Sequence, residues 1–152
     1  MLPHKHFIYG LIFSGIIYFI FPITILEAGI IFLASFLIDV DHYLYYAYKE
    51  KSLNLKKAYA WFRTKGKLFK KFPRRELKKY YTGIYCLHGI EILVILFILG
   101  FFLHTLFYFI LIGFYFHLIL DYIDLIMRKW PHINKVSIIH DYLNSRKLKL
   151  IQ

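Results

Sequence analysis

Four apolar runs, almost free of charge, most constrain what this chain of 152 residues can fold into; they cover residues 7–21, 23–38, 85–99 and 101–120. With 59% hydrophobic and 21% aromatic residues, the chain has the composition of a membrane protein rather than a soluble domain. Some runs are shorter than the roughly 20 residues that cross a bilayer core, so we expect the first two to form a tight hairpin around Pro22. The sequence predicts an all-α fold, a four-helix transmembrane bundle in a single integral membrane domain over residues 1–152.

The first run has a second interpretation, because Lys5 precedes an apolar stretch of the length found in secretory signal peptides. His4 and His6 in the charged region, and the lack of a good small-residue cleavage site, count against it. We therefore retain the first run as a helix of the bundle.

Positive charges give the bundle its orientation. Every Lys and Arg lies before the first run, in the basic segment 48–81, or in the tail 121–152. The connections around Pro22 and Gly100 carry none. The positive-inside rule then predicts a multi-pass protein of the cell (inner) membrane with both termini and the basic segment in the cytoplasm.

The basic segment 48–81 interleaves cations with aromatic residues. Its cations include Lys56, Lys57, Arg63, Lys65, Lys67, Lys70, Lys71, Arg74, Arg75, Lys78 and Lys79. Basic and aromatic residues on opposite faces are typical of an amphipathic helix in the headgroup plane, here split in two by Pro73. Each cation near anionic lipid contributes about 1 kcal/mol, so the expected partners are membrane lipids with anionic headgroups. Nucleic-acid binding is the competing interpretation and is not expected.

Metal-binding residue types gather at the predicted cytoplasmic helix ends. They are His4 and His6 before the first run, Asp39, Asp41 and His42 after the second, His88 and Glu91 in the third, and His117, Asp121 and Asp124 around the end of the fourth. In the last three groups, spacings of three and four residues put members on one helical face, the arrangement by which helix bundles build carboxylate–histidine metal sites. The sequence predicts one or two divalent ions. Nitrogen and oxygen donors favour zinc, with manganese or iron as alternatives, and the single Cys86 excludes a thiolate cluster.

Each of these residues also has a simpler interpretation. A lone histidine on a transmembrane face is more often a hydrogen-bond partner between helices than a metal ligand. Asp121 has Lys5 and Arg128 as alternative ion-pair partners, and Asp124 is the weakest member of its stripe. The prediction of a metal site depends on the conjunction of all four groups.

The sequence resembles the YdjM-like family of inner-membrane metal-dependent hydrolases. Family members open with a histidine before the first helix, matched by His6 or His4. They carry Pro-Asp-x-Asp-His after the second helix, where Asp39, Asp41 and His42 match and Ile38 replaces the proline. They end with His-Leu-x-x-Asp, which residues 117–121 match. The resemblance covers most of the chain and extends distantly to zinc-dependent phospholipases C.

One family element is incomplete in this chain. Many members have a paired-histidine His-Arg-Gly-x-Thr-His element, whereas this sequence offers His88 with Glu91. Either Glu91 supplies the missing ligand or one metal site lacks it.

These observations predict a membrane-bound metal-dependent hydrolase that acts on a phosphoester of a lipid or another amphiphile. The predicted metal ligands are His6, Asp39, His42, His88, His117 and Asp121. Asp41 and Glu91 are the carboxylates predicted to accept a proton from the attacking water. Two alternatives stay open: a non-catalytic protein whose His/Asp cluster is a structural metal or ion-pair staple, and an ion transporter, which the nearly bare middle of the apolar runs disfavours.

Overall fold

The computed structural model describes residues 3–73, 80–81, 83–127, 137–145 and 149–150. The described helices are α1 (Pro3–Ile20), α2 (Ile25–Leu37), α3 (Val40–Glu50), α4 (Leu55–Lys71), α5 (Ile90–Phe102), α6 (Leu106–Met127) and α7 (Ile138–Ser145). Two-residue strands β1 (Tyr80–Tyr81) and β2 (Lys149–Leu150) pair in parallel, with Tyr80 opposite Lys149. The predominance of helix confirms the predicted all-α class.

The chain groups into two compact units. The first, here called the bundle unit, contains α1, α2, α5 and α6; the second contains α3, α4, α7 and the two strands. Within the described ranges, α6 is the helix long and apolar enough to cross a membrane, and α5 is a shorter apolar helix. The single integral membrane domain stays a prediction.

In the bundle unit, α2 packs against both α1 and α6, and α5 packs against α6. The approach of α2 to α6 depends on Gly113. A Cβ added there would lie 2.5 Å from the carbonyl oxygen of Ile31 and 2.7 Å from Cβ of Ala34. Small residues allow helix backbones to come this close. His117, one turn after Gly113, is thereby held beside α2.

A capping box begins α2 directly after the Pro22 turn. The Thr24 N–H donates to Oε2 of Glu27 at 2.6 Å, and the Glu27 N–H donates to Oγ1 of Thr24 at 3.3 Å. These two hydrogen bonds satisfy backbone N–H groups that have no acceptor within the first turn of the helix. They also explain why an acidic residue stands in an otherwise apolar run.

The helices of the bundle unit differ in extent from the predicted runs 7–21, 23–38, 85–99 and 101–120. The first begins at Pro3 and includes His6; the third begins at Ile90, after a turn; and the fourth continues to Met127. Hydropathy marks where a run of apolar residues ends, whereas the backbone hydrogen bonds of a helix continue into the polar residues that follow. His117 and Asp121 therefore lie within one helix, α6, rather than at its end.

The second unit contains a helix that the sequence analysis did not assign, α3, which begins three residues after the last residue of α2. Asn54 caps α4 by accepting the Lys57 N–H on Oδ1 at 3.0 Å. The helix ends at Lys71, and Phe72 is extended before Pro73, as a residue preceding proline prefers. The predicted break at Pro73 agrees with this end, while 74–79 of the basic segment lie outside the described residues.

The aromatic side of α4 faces its own unit. The Trp61 ring lies 5.7 Å from that of Tyr46, and the Phe62 ring lies 5.6 Å from that of His42. Trp61 Nε1–H also donates to Oε1 of Glu50 at 3.0 Å. The sequence analysis expected these aromatics on a lipid-facing side; in the structure they pack against α3.

Candidate metal centre

The bundle unit brings together four predicted ligands, here called the bundle cluster: His6 on α1, Asp39 just after α2, and His117 and Asp121 on α6. Both imidazoles are fully buried, and their rings stack with centroids 3.8 Å apart. Nε2 of His6 lies 3.1 Å from Oδ1 of Asp121. Three separate segments of the chain thus deliver nitrogen and oxygen donors to one buried position.

His117 is oriented by a backbone carbonyl. Its Nδ1–H donates to the oxygen of Ser35 at 2.8 Å, since a carbonyl oxygen only accepts. In the neutral imidazole the lone pair is then on Nε2. That atom lies 3.6 Å from Oδ1 of Asp39 and 3.6 Å from Oδ2 of Asp121, beyond hydrogen-bond range. A lone pair facing two carboxylates is stabilised by a cation between them. Metal-ligating histidines show this arrangement, with the second ring nitrogen bonded to a carbonyl or carboxylate.

His6, rather than His4, is the N-terminal residue of the cluster. The side chain of His4 is exposed, whereas His6 is buried against His117. Nδ1 of His6 is buried and has no hydrogen-bond partner among the described residues. Leaving a buried nitrogen without a hydrogen bond costs about 1–3 kcal/mol of folding free energy.

The second unit holds another group, here called the loop cluster: Asp41 and His42 on α3, with His88 in the turn before α5. Oδ1 of Asp41 lies 2.8 Å from Nδ1 of His42, and Oδ2 lies 2.9 Å from Nδ1 of His88. Oδ2 also accepts the backbone N–H of Leu87 at 2.9 Å. Asp41 and His88 are buried, so these bonds form away from water.

Asp41 fixes the orientation of both imidazoles. Because an ionised carboxylate only accepts hydrogen bonds, His42 and His88 each present Nδ1–H to it, which leaves Nε2 as the basic atom of each neutral ring. Burial by itself raises the pKa of Asp41, but the hydrogen bonds from His42 and His88, together with electrostatic attraction to these two imidazoles, outweigh it and hold that pKa well below its usual range.

Tyr85 and Gly83 shape the turn that carries His88. The Tyr85 ring stacks on His42 with centroids 3.9 Å apart. Gly83 has φ of 144°, a conformation that residues with side chains rarely adopt, and a Cβ there would lie 2.9 Å from the Tyr45 ring. The glycine lets the chain turn tightly against α3 before it reaches His88.

Two groups of three donors, one in each unit, have ligand atoms that all lie within 4.8 Å of one another: His6, His117 and Asp121, and Asp41, His42 and His88. The prediction that His and Asp residues form groups able to hold a metal ion is thus confirmed. Among the described residues, Glu91 and Asp124 belong to no such group. Glu91 lies in the first turn of α5, and its predicted catalytic role stays a prediction.

Sequence reasoning did not find the backbone partners, the Ser35 carbonyl and the Leu87 amide. Neither group can be recognised from the residue type, because every residue except proline carries both a backbone carbonyl and a backbone N–H. Gly113 did offer a signal, as a glycine in mid-helix one turn before a histidine.

Comparison of the chain with protein-family models, curated proteins and solved structures finds no match.

Proposed function

We propose that this chain is an integral membrane protein that binds a divalent ion in the bundle cluster and hydrolyses a phosphoester of a lipid or similar amphiphile at the cytoplasmic membrane face. The observation that carries the proposal is the orientation of His117, whose Nδ1–H is held by Ser35 while Nε2 faces Asp39 and Asp121. The Asp39-x-Asp41-His42 motif and the His-Leu-x-x-Asp motif support a place in the YdjM-like family as part of the same proposal.

Exposed apolar side chains support the membrane part of the proposal. On α5 the exposed residues include Val94, Ile95, Phe97, Ile98, Phe101 and Phe102. On α1 they include Ile8, Leu11, Ile12, Ile16, Phe19 and Ile20. Contiguous apolar surface of this extent is costly in water and ordinary in hydrocarbon. We therefore propose four crossings of the inner membrane, with both termini in the cytoplasm on the basis of the Lys and Arg distribution.

The donor atoms of the bundle cluster suit a common ion. Zinc binds histidine nitrogen and carboxylate oxygen at about 2.0–2.2 Å, which places donors on one ion roughly 3 to 3.6 Å apart. The His6–Asp121, His117–Asp39 and His117–Asp121 atom pairs are separated by 3.1, 3.6 and 3.6 Å. Zinc is our first candidate, and manganese and iron accept the same donor types.

The roles of the residues follow from this geometry. His6, Asp39, His117 and Asp121 would hold the ion, which supplies Lewis-acid polarisation of a phosphoryl oxygen and a water of lowered pKa. Asp41 positions the His42 and His88 rings, and with three donors on its two oxygens it is a poor candidate for the general base. Glu91 is the remaining predicted proton acceptor. His42 and His88 present nitrogen donors for a second ion.

The test is hydrolysis of a phospholipid and of an isoprenoid phosphate by full-length protein in nanodiscs, loaded with zinc or manganese. We expect phosphoester cleavage that is lost in Asp121→Ala and in His88→Ala. His140→Ala is the matched control, since that side chain is 64% exposed. Full activity in both cluster variants would contradict the assigned roles.

A specific observation favours one alternative, a structural staple. The loop cluster already satisfies its carboxylate with three hydrogen bonds. If both clusters are staples, chelation will lower the melting temperature while no substrate is turned over with any divalent ion. Turnover restored by adding back the ion would exclude this alternative.

A further inference from the structure

Four cations form one exposed line along α4, here called the cationic stripe: Lys56, Arg63, Lys67 and Lys71. Their spacings of seven, four and four residues place them on one helical face. The helix contains no acidic residue over Leu55–Lys71. No acidic residue of α4 itself therefore offsets the positive charge of the stripe.

The opposite side of α4 is occupied by its own unit. Ala58 and Lys65 are 5% and 7% exposed, and the Lys65 ammonium lies 3.6 Å from the centroid of the Trp61 ring. Trp61 and Phe62 contact residues of α3. An amphipathic helix that inserts into a bilayer needs its apolar side for lipid. Here two large aromatics of that side, Trp61 and Phe62, pack against α3.

We propose that the cationic stripe binds an anionic bilayer surface by charge, without insertion of Trp61 and Phe62. Lys and Arg near an anionic surface each strengthen binding by roughly fivefold, and the attraction decays within a Debye length. Single-stranded nucleic acid is a poorer fit, because its binding sites stack bases on exposed aromatics. Trp61 and Phe62 instead pack against residues of α3. This inference uses no residue of either metal-binding cluster, so it stands or fails independently of the hydrolase proposal.

The experiment measures the lipid that full-length protein retains from an equimolar phosphatidylcholine and phosphatidylglycerol mixture, quantified by mass spectrometry. At low salt we expect several-fold enrichment of phosphatidylglycerol. The enrichment should fall toward the composition of the mixture at roughly 1 M salt, where the Debye length is about 3 Å. Arg63→Gln/Lys67→Gln should remove most of this enrichment at low salt. Undiminished enrichment in this variant would overturn the proposal.

The matched control is Lys49→Gln/Lys51→Gln, which removes the same charge from exposed positions at the end of α3. Retained enrichment in the control supports the stripe, whereas an equal loss would assign the effect to net charge. Trp61 emission, measured in a Trp130→Phe background, should be the same in both lipids. A blue shift in phosphatidylglycerol would show insertion and overturn the charge-only claim. Salt-sensitive oligonucleotide binding without lipid enrichment would assign the stripe to nucleic acid.

Discussion

The bundle cluster and the loop cluster contain the same residue types but differ in the distances between their side-chain atoms. In the loop cluster, one carboxylate meets three donors at 2.8–2.9 Å, which are ordinary hydrogen bonds. In the bundle cluster, Nε2 of His117 lies 3.6 Å from each of two carboxylates. The loop cluster fixes the orientation of its imidazoles by hydrogen bonds, whereas the atoms around Nε2 of His117 have the spacing of donors around a shared ion.

The difference teaches that identical residue types do not imply identical roles. Asp41 is buried and Asp121 is half-buried, and each of these acids lies beside two histidines. Asp41 is the hydrogen-bond acceptor for both Nδ1–H groups of its cluster. Asp121 faces the Nε2 atoms of His6 and His117. We infer that the ion binds first and most tightly where Nε2 atoms converge.

The largest expected effect is on ion binding in Asp121→Asn. Removal of a residue that only hydrogen-bonds to a metal ligand weakens ion binding about 10- to 100-fold. Removal of a carboxylate ligand itself should weaken ion binding by more than this. Asp124→Asn, one turn further along α6, is the matched control and should bind normally. Equilibrium dialysis followed by elemental mass spectrometry measures both. Equal affinity in the two variants would break the assignment of the bundle cluster.

Gly113→Ala should break the bundle cluster without touching a ligand. Its Cβ would collide with the Ile31 carbonyl, and helix backbone cannot move aside cheaply, so we expect a loss of about 1–3 kcal/mol in unfolding free energy. Separation of α6 from α2 should also weaken the His117–Ser35 hydrogen bond and ion binding. Gly15→Ala is the control, because a Cβ there meets nothing within 4 Å. We expect it to be neutral or stabilising by up to about 1 kcal/mol. Thermal melting and dialysis with both variants would test this, and an unaltered Gly113→Ala protein would contradict the packing argument.

Asp41→Asn should separate the roles of the loop cluster from those of the bundle cluster. The amide offers one acceptor oxygen where Asp41 offers two, so one imidazole loses its fixed tautomer. We expect a 10- to 100-fold loss of hydrolysis. The number of ions bound by the bundle cluster should stay the same. A variant that loses the bundle ion as well would show that the two clusters depend on one another.

The smallest expected effect is a pH dependence confined to the second unit. Burial lowers the pKa of Lys65 to about 8 from the usual 10.5, while attraction to Glu50 opposes the shift and repulsion from Lys49 adds to it. Between these values the unfolded state binds more protons than the folded state, so stability should rise as the pH rises. Lys65→Met should remove this rise and Lys67→Met should retain it. The measurement is denaturation followed by Trp61 fluorescence in the Trp130→Phe background. An unfolding free energy that stays constant from pH 8 to 10.5 with Lys65 in place would contradict the burial of its ammonium group.

The sequence predicted the helical class and the gathering of His6, Asp39, His117 and Asp121 because hydropathy and i, i+4 spacing are local signals. It missed α3, since Val40–Glu50 mixes aromatic and charged residues without an apolar run. It assigned Asp39 to the metal and Asp41 to proton transfer, but it could not place these two residues of one motif in different clusters. That distinction depends on the Leu87 amide and the Ser35 carbonyl, whose positions come from tertiary packing.

The most direct test of the central claim is the divalent metal content of full-length detergent-purified protein, with Asp39→Ala/His117→Ala alongside. We predict one or two equivalents of zinc, manganese or iron in the wild-type protein and loss of the bundle ion in the variant. Wild-type protein that is folded, metal-free and unable to take up any divalent ion would contradict the account.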